Sequence, residues 1–139
     1  MSAAAFHANL RAGFRQLLQA IPSLPAVAWE GKHFAPTEGV NWLTESLRPI
    51  SSIVRGTGRG GYIAHTVTAN LNVRVPADAG TLDLDAIAGS ILEAFHPGTA
   101  IVYGPTSAIV QRAERLGNQQ EPDWLSAPIT LTMIGHTTN

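Results

Sequence analysis

The chain contains no cysteine. A disulfide framework, a thiolate nucleophile and a cysteine-ligated metal are thereby excluded. The composition fits a protein made and kept in a reducing cytoplasm. Charged side chains are also scarce, at 14% of residues, against about 25% in an ordinary soluble protein. Set beside 45% hydrophobic residues, this scarcity implies that other chains cover part of the surface. A formal net charge of −1 gives no bulk attraction to nucleic acid or to an anionic membrane. No apolar run reaches the roughly 20 residues of a membrane span. Asn9, Arg11 and Arg15 interrupt the N-terminal apolar stretch, so it does not read as a signal peptide.

Carboxylates are missing from one stretch. Between Ser46 and Ala77 there is no Asp or Glu, whereas Arg48, Arg55, Arg59 and Arg74 lie there, so the segment is +4 and the remainder −5. Two readings stand: ordinary solvated arginines, or an electropositive hairpin that docks on an acidic neighbour.

Catalytic patterns are absent too. The histidines, His7, His33, His65, His96 and His136, are scattered without H-x-x-x-H spacing. There is no G-x-S-x-G elbow, and nothing in the sequence marks a base beside Ser51 or Ser52. Asp83 and Asp85 are explained by a helix start, where the dipole favours carboxylates. Glu121 and Asp123, flanking Pro122, read as a solvated turn. Gly56, Gly58 and Gly61 spell G-x-G-x-x-G, but a dinucleotide site needs a helix after the glycines, and here a strand follows. The expectation is no metal, no cofactor and no catalysis.

What is present is a hairpin. From Tyr62 to Val75 the residues alternate, with Val67, Ala69, Leu71, Val73 and Val75 on one side and Thr66, Thr68, Asn70, Asn72 and Arg74 on the other. A period of two is the mark of a strand with one buried face. His65 takes an apolar position in it and reads as a hydrogen-bonded, half-buried histidine. Fourteen residues at roughly 3.3 Å each span about 46 Å, which predicts either a bulge or a hairpin end projecting beyond its sheet. The preceding arm is read as Asn41–Arg48, closed by Pro49. Residues 50–61 form a glycine- and arginine-rich loop.

The remaining elements follow from periodicity and breakers. Residues 3–21 read as an amphipathic helix with Phe6, Leu10, Phe14, Leu17, Leu18 and Ile21 on one stripe, Ser2 as its cap, and Arg11 and Arg15 on the wet side. A second helix runs from Asp83 to Phe95 on Leu84, Ile87, Ala88, Ile91 and Leu92, and Pro97-Gly98 stops it. Short strands are read at Ala26–Glu30, Thr99–Tyr103 and Thr106–Arg115, the last two joined by Gly104-Pro105. The final strand runs from Trp124 to Gly135, with Pro128 marking an edge or bulge and a frayed tail from His136. Two of Trp29, Trp42 and Trp124 are expected in the core, and one at an interface. The whole, 1–139, is read as one α+β domain: a mostly antiparallel sheet, two helices packed on one face, and a long projecting β-hairpin.

Several segments carry a resemblance: Leu24-Pro25-Ala26-Val27-Ala28-Trp29-Glu30, Phe34-Ala35-Pro36, Asn41-Trp42-Leu43, Leu47-Arg48-Pro49, Val73-Arg74-Val75-Pro76, Phe95-His96-Pro97-Gly98-Thr99, Asp123-Trp124 and Ala127-Pro128-Ile129. In these the chain resembles the tail terminator (tail completion) proteins of long-tailed bacteriophages. The resemblance implies a virion protein without catalytic residues, forming a six-membered ring that caps the tail tube. Its implied partners are further copies of itself, the tail tube protein and the head–tail connector, with genomic DNA passing nearby and no membrane. Its implied place is the head-proximal end of the tail, after assembly in the host cytoplasm. Candidate assembly residues are Arg48, Arg55, Arg59, Tyr62, Arg74, Asp83, Asp85 and Glu93. Two other readings remain open: another neck component such as a head–tail joining protein, or a small ligand-binding domain or enzyme.

Overall fold

The computed structural model describes residues 3–56 and 61–138. A short 3-10 turn, Ala3–Ala5, leads into α1 (Phe6–Gln19). There follow β1 (Ala26–Ala28), β2 (Trp42–Arg55), β3 (Tyr62–Pro76), α2 (Leu82–Ala94), β4 (Ala100–Tyr103), β5 (Thr106–Arg115), β6 (Gln119–Gln120) and β7 (Trp124–Thr138). The sheet order is β1-β2-β3-β7-β5-β4, with β6 paired to β7. All pairs are antiparallel except β1 with β2.

Strand β3 is interior, which is why its alternation is so regular. It pairs with β2 from Tyr62 to Arg74 and with β7 from Tyr62 to Pro76. Its odd residues from His65 to Val75 are buried. The register stacks Leu43, Val73 and Ala127 in one row, and Leu47, Ala69 and Leu131 in another. These side chains join Phe6, Leu10, Phe14 and Leu18 of α1 and Leu84, Ala88 and Ile91 of α2 in one apolar core. The opposite positions, such as Thr66, Thr68, Thr130 and Thr132, stay half-exposed.

Helix α1 starts without a side-chain cap on its N-cap residue, Ala5; Ser2 lies outside the described residues. The buried spacing Phe6-Leu10-Phe14-Leu18 supplies the stabilisation instead, as expected where tertiary burial outweighs propensity.

Two prolines do not end their strands. Strand β2 runs through Pro49 to Arg55, with a register shift between Pro49 and Ser51. The Leu47 amide points away from β3, because it donates to Glu30 Oε1 at 3.0 Å. Pro49 shares that parity, so its missing N–H falls on the outer edge, where no ladder bond is lost. In β7 the Pro128 carbonyl accepts from the Leu116 N–H on the β5 side. The β5 ladder stops there at Arg115 opposite Ile129; the missing Pro128 N–H faces β5, so it removes only the return bond to Leu116 at the end of that ladder and none to β3.

The tail is not frayed as far as it is described. Thr138 pairs with Tyr62, so β7 accompanies β3 to the end of the hairpin. That end is therefore three strands wide, and on one side its margin is β2 beyond Thr44, where β1 stops.

Candidate functional site

The candidate assembly residues do not converge. Arg55 pairs with Tyr62 at one end of the hairpin, whereas Arg74 pairs with Trp42 at the other. Arg48 and Arg55 are exposed on β2, and Tyr62 is exposed with its ring edge-on to His136 at 5.1 Å. Arg59, with Gly58 of the glycine motif, lies outside the described residues. Asp83 and Asp85 occupy the first turn of α2, and Glu93 lies exposed near its end. Asp85 accepts from Arg115 at 2.7 Å.

Arg74 is consumed inside the chain. Its Nε bonds Glu121 Oε1 at 3.1 Å, its Nη1 reaches Thr44 Oγ1 at 3.3 Å, and its guanidinium lies 4.7 Å from the Trp42 ring centroid. Trp42 in turn stacks on Phe34 and meets Trp124 edge-on. Trp42, Trp124 and Trp29 are each half-buried.

Arg11 and Arg15 are not simply on the wet side of α1. Arg15 Nε and Nη2 bond the two oxygens of Glu45 at 2.9 and 3.2 Å. The Glu45 side chain is 0% exposed. That hydrogen bond raises the Arg15 pKa, against the opposing effect of burial. Arg11 pairs with Glu30, and this bond, helped by the Leu47 amide, lowers the Glu30 carboxyl below its ordinary range. Inward alternation of Leu43, Glu45 and Leu47 was the available sign that Glu45 needs a buried partner.

His65 does have a serine beside it. Its Nδ1 lies 2.7 Å from Ser52 Oγ, and its Nε2 lies 2.8 Å from Thr137 Oγ1. The ring is 4% exposed and stacks on Phe6 at 4.5 Å. A neutral imidazole carries one donor and one acceptor, so the two hydroxyls satisfy both nitrogens and clamp β2, β3 and β7 together. Burial lowers the pKa of His65, and His7 and His136 nearby lower it further. Among the described residues no carboxylate hydrogen-bonds this imidazole, as the orienting member of a nucleophilic triad would. Reading β2 as ending at Pro49 is what hid the Ser52 contact.

Exposed apolar side chains gather at the outer end of β2, where Ile50, Ile53 and Val54 are 54%, 48% and 58% exposed. Among the described residues no three His, Cys, Asp or Glu side chains cluster as a metal site, and no helix is long and apolar enough to cross a membrane.

Exposed apolar and arginine side chains thus lie along a strand edge of a small α+β domain. The chain belongs to the phage tail terminator protein family, whose model matches residues 4–132. It is thus a structural protein of the phage tail. No curated protein matches it. A solved structure aligns over 96% of both chains with a TM-score of 0.72 and 20% identity, which establishes a shared fold.

Proposed function

We propose that this protein forms a ring, of six subunits, that caps the tail tube, ends its polymerisation and presents the surface to which the head connector joins. Membership of the tail terminator family carries this reading. The open apolar end of β2 supports it, because such a strand edge needs a partner. Ring closure requires head-to-tail contacts between two different surfaces of one chain. The charge pattern offers such a pair. Arg48 and Arg55 lie exposed on β2, and Arg59 follows in the same carboxylate-free segment of the sequence, whereas α2 carries Asp83, Glu93 and the Arg115-paired Asp85 with no basic residue of its own. Each exposed pair contributes only about 0–1 kcal/mol, but the contacts repeat around the ring and fix its register. The tube protein and the connector are the further partners, at the head-proximal end of the tail, with DNA passing through the lumen without sequence-specific contact.

A reconstruction of the virion tests the reading: six copies at the junction of tail and head are expected, and a junction without this chain refutes it. Replacing Arg55 and Arg59 by Glu should leave the subunit folded while blocking the joining of tails to heads. Normal infectious particles from that variant would show the arm to be dispensable.

A further inference from the structure

The two margins of the sheet differ. At the β4 margin, the Val110 N–H donates to the Thr99 carbonyl and the Gly98 N–H to the Val110 carbonyl. By strand parity, Ile101 and Tyr103 then face β5, and the peptide groups of Val102 face outward. Helix α1 lies against that outward edge. A Cβ on Gly13 would sit 3.1 Å from Ile101 Cγ2, 3.2 Å from Tyr103 Cβ and 3.4 Å from the Val102 carbonyl oxygen. The absent side chain lets the helix pack closely over this strand beside the Val102 carbonyl. At the β2 margin, by contrast, Glu30 occupies the Leu47 amide and Pro49 has none, but the edge is open from Ser51 onward.

A receptor of another kind lies on the helices. A groove of about 410 Å³ runs between Leu17, Ile21 and Pro22 at the end of α1 and Ser90 and Ala94 of α2, with Glu93 at its rim. It continues past Ile21 and Pro22 into a smaller hollow of about 90 Å³ beside Ile87. Small side chains on α2 leave this space open, and its walls are mainly apolar.

We propose that this groove receives the outer end of β2 from a second copy of the chain, gripping Ile53 and Val54, which alternate to opposite faces of the strand. The inference rests on the ring reading and names the surface that would close the ring. Charge selects the occupant. The arriving segment carries Arg48 and Arg55 and no carboxylate. Glu93 at the rim, which among the described residues no ion pair engages, would repel an acidic segment and hold a basic one. Two unlike surfaces of one chain then meet head to tail, as closure requires.

The absence of cysteine makes the test direct. Val54→Cys and Ser90→Cys are introduced together, both at exposed positions, and the full chain is oxidised within tails purified from infected cells. A ladder of covalent multimers is expected from the double variant, and no ladder from either single variant. Adding Glu93→Arg should lower the cross-linked yield about tenfold through like-charge contact, and combining it with Arg55→Glu should restore the yield. Rings visible in stained particles without a ladder overturn the groove contact and leave the ring reading standing. Tails that contain the chain singly overturn both. Should the Val54 variant disturb the strand, Ile53→Cys with Ala94→Cys asks the same question, and absence of a ladder from that pair in visible rings also overturns the contact.

Discussion

Arg15 and Glu45 form a two-bonded ion pair across the α1–β2 boundary, with the Glu45 carboxylate sealed from solvent and Arg15 at 24% side-chain exposure. The Glu30 amide adds a third hydrogen bond to the same carboxylate at 3.2 Å. Removing one partner of a buried pair strands a charge, whereas replacing both by apolar groups of similar size is often tolerated.

Arg15→Ala should therefore destabilise the fold by about 3 kcal/mol, the low end for a buried pair because Arg15 is partly wet. Arg15→Met together with Glu45→Leu should recover most of that loss. Urea unfolding midpoints of the two variants check this; equal losses would mean that Glu45 is satisfied by its other contacts.

Protonation of His65 is disfavoured in the fold, first by burial and then by His7 and His136. Its folded pKa lies below the unfolded value of about 6.5, so between the two values the unfolded chain binds more protons. Stability is full above about pH 6.5 and is lost as pH falls toward the folded pKa, with a slope of at most about 1.4 kcal/mol per pH unit from this one group. His65→Gln should flatten that part of the pH–stability curve. Denaturant midpoints between about pH 7 and pH 5 in both proteins decide it, and an unchanged slope would assign the loss to other groups.

Gly135 permits a close approach between β7 and α1. A Cβ there would lie 2.5 and 2.7 Å from the Phe6 ring and 3.0 Å from the Ser107 carbonyl oxygen. Phe6 is fully buried, so Gly135→Ala should cost about 1–3 kcal/mol by overpacking. Adding Phe6→Leu should make the alanine better tolerated than it is beside phenylalanine. Thermal unfolding of the four proteins in this cycle measures the coupling, and strict additivity would contradict the contact.

Arg74 belongs to the fold rather than to a free basic arm. Its contacts with Glu121, Thr44 and Trp42 are intramolecular, so Arg74→Ala should lower stability by about 1–2 kcal/mol. Tail assembly should persist at temperatures where the variant remains folded. Loss of joining with unchanged stability would return Arg74 to the interface.

The sequence by itself determined the elements whose signal is local. Alternation marked β3 from Tyr62, a 3.6-residue stripe marked α2, Gly104-Pro105 marked the β4–β5 turn, and turn motifs along the chain carried the family resemblance. Each of these depends on residues a few positions apart, which side-chain periodicity reports directly. Tertiary structure alone decided which groups meet across long separations: Arg15 with Glu45, Ser52 and Thr137 with His65, and Gly13 with the edge of β4. It also decided that β2 passes through Pro49 and that Pro128 sits inside the sheet. The cost of a missing N–H depends on which side of the strand it faces and whether a neighbour reaches that far. Register and sheet order fix both, and neither is written in the spacing of residues along the chain.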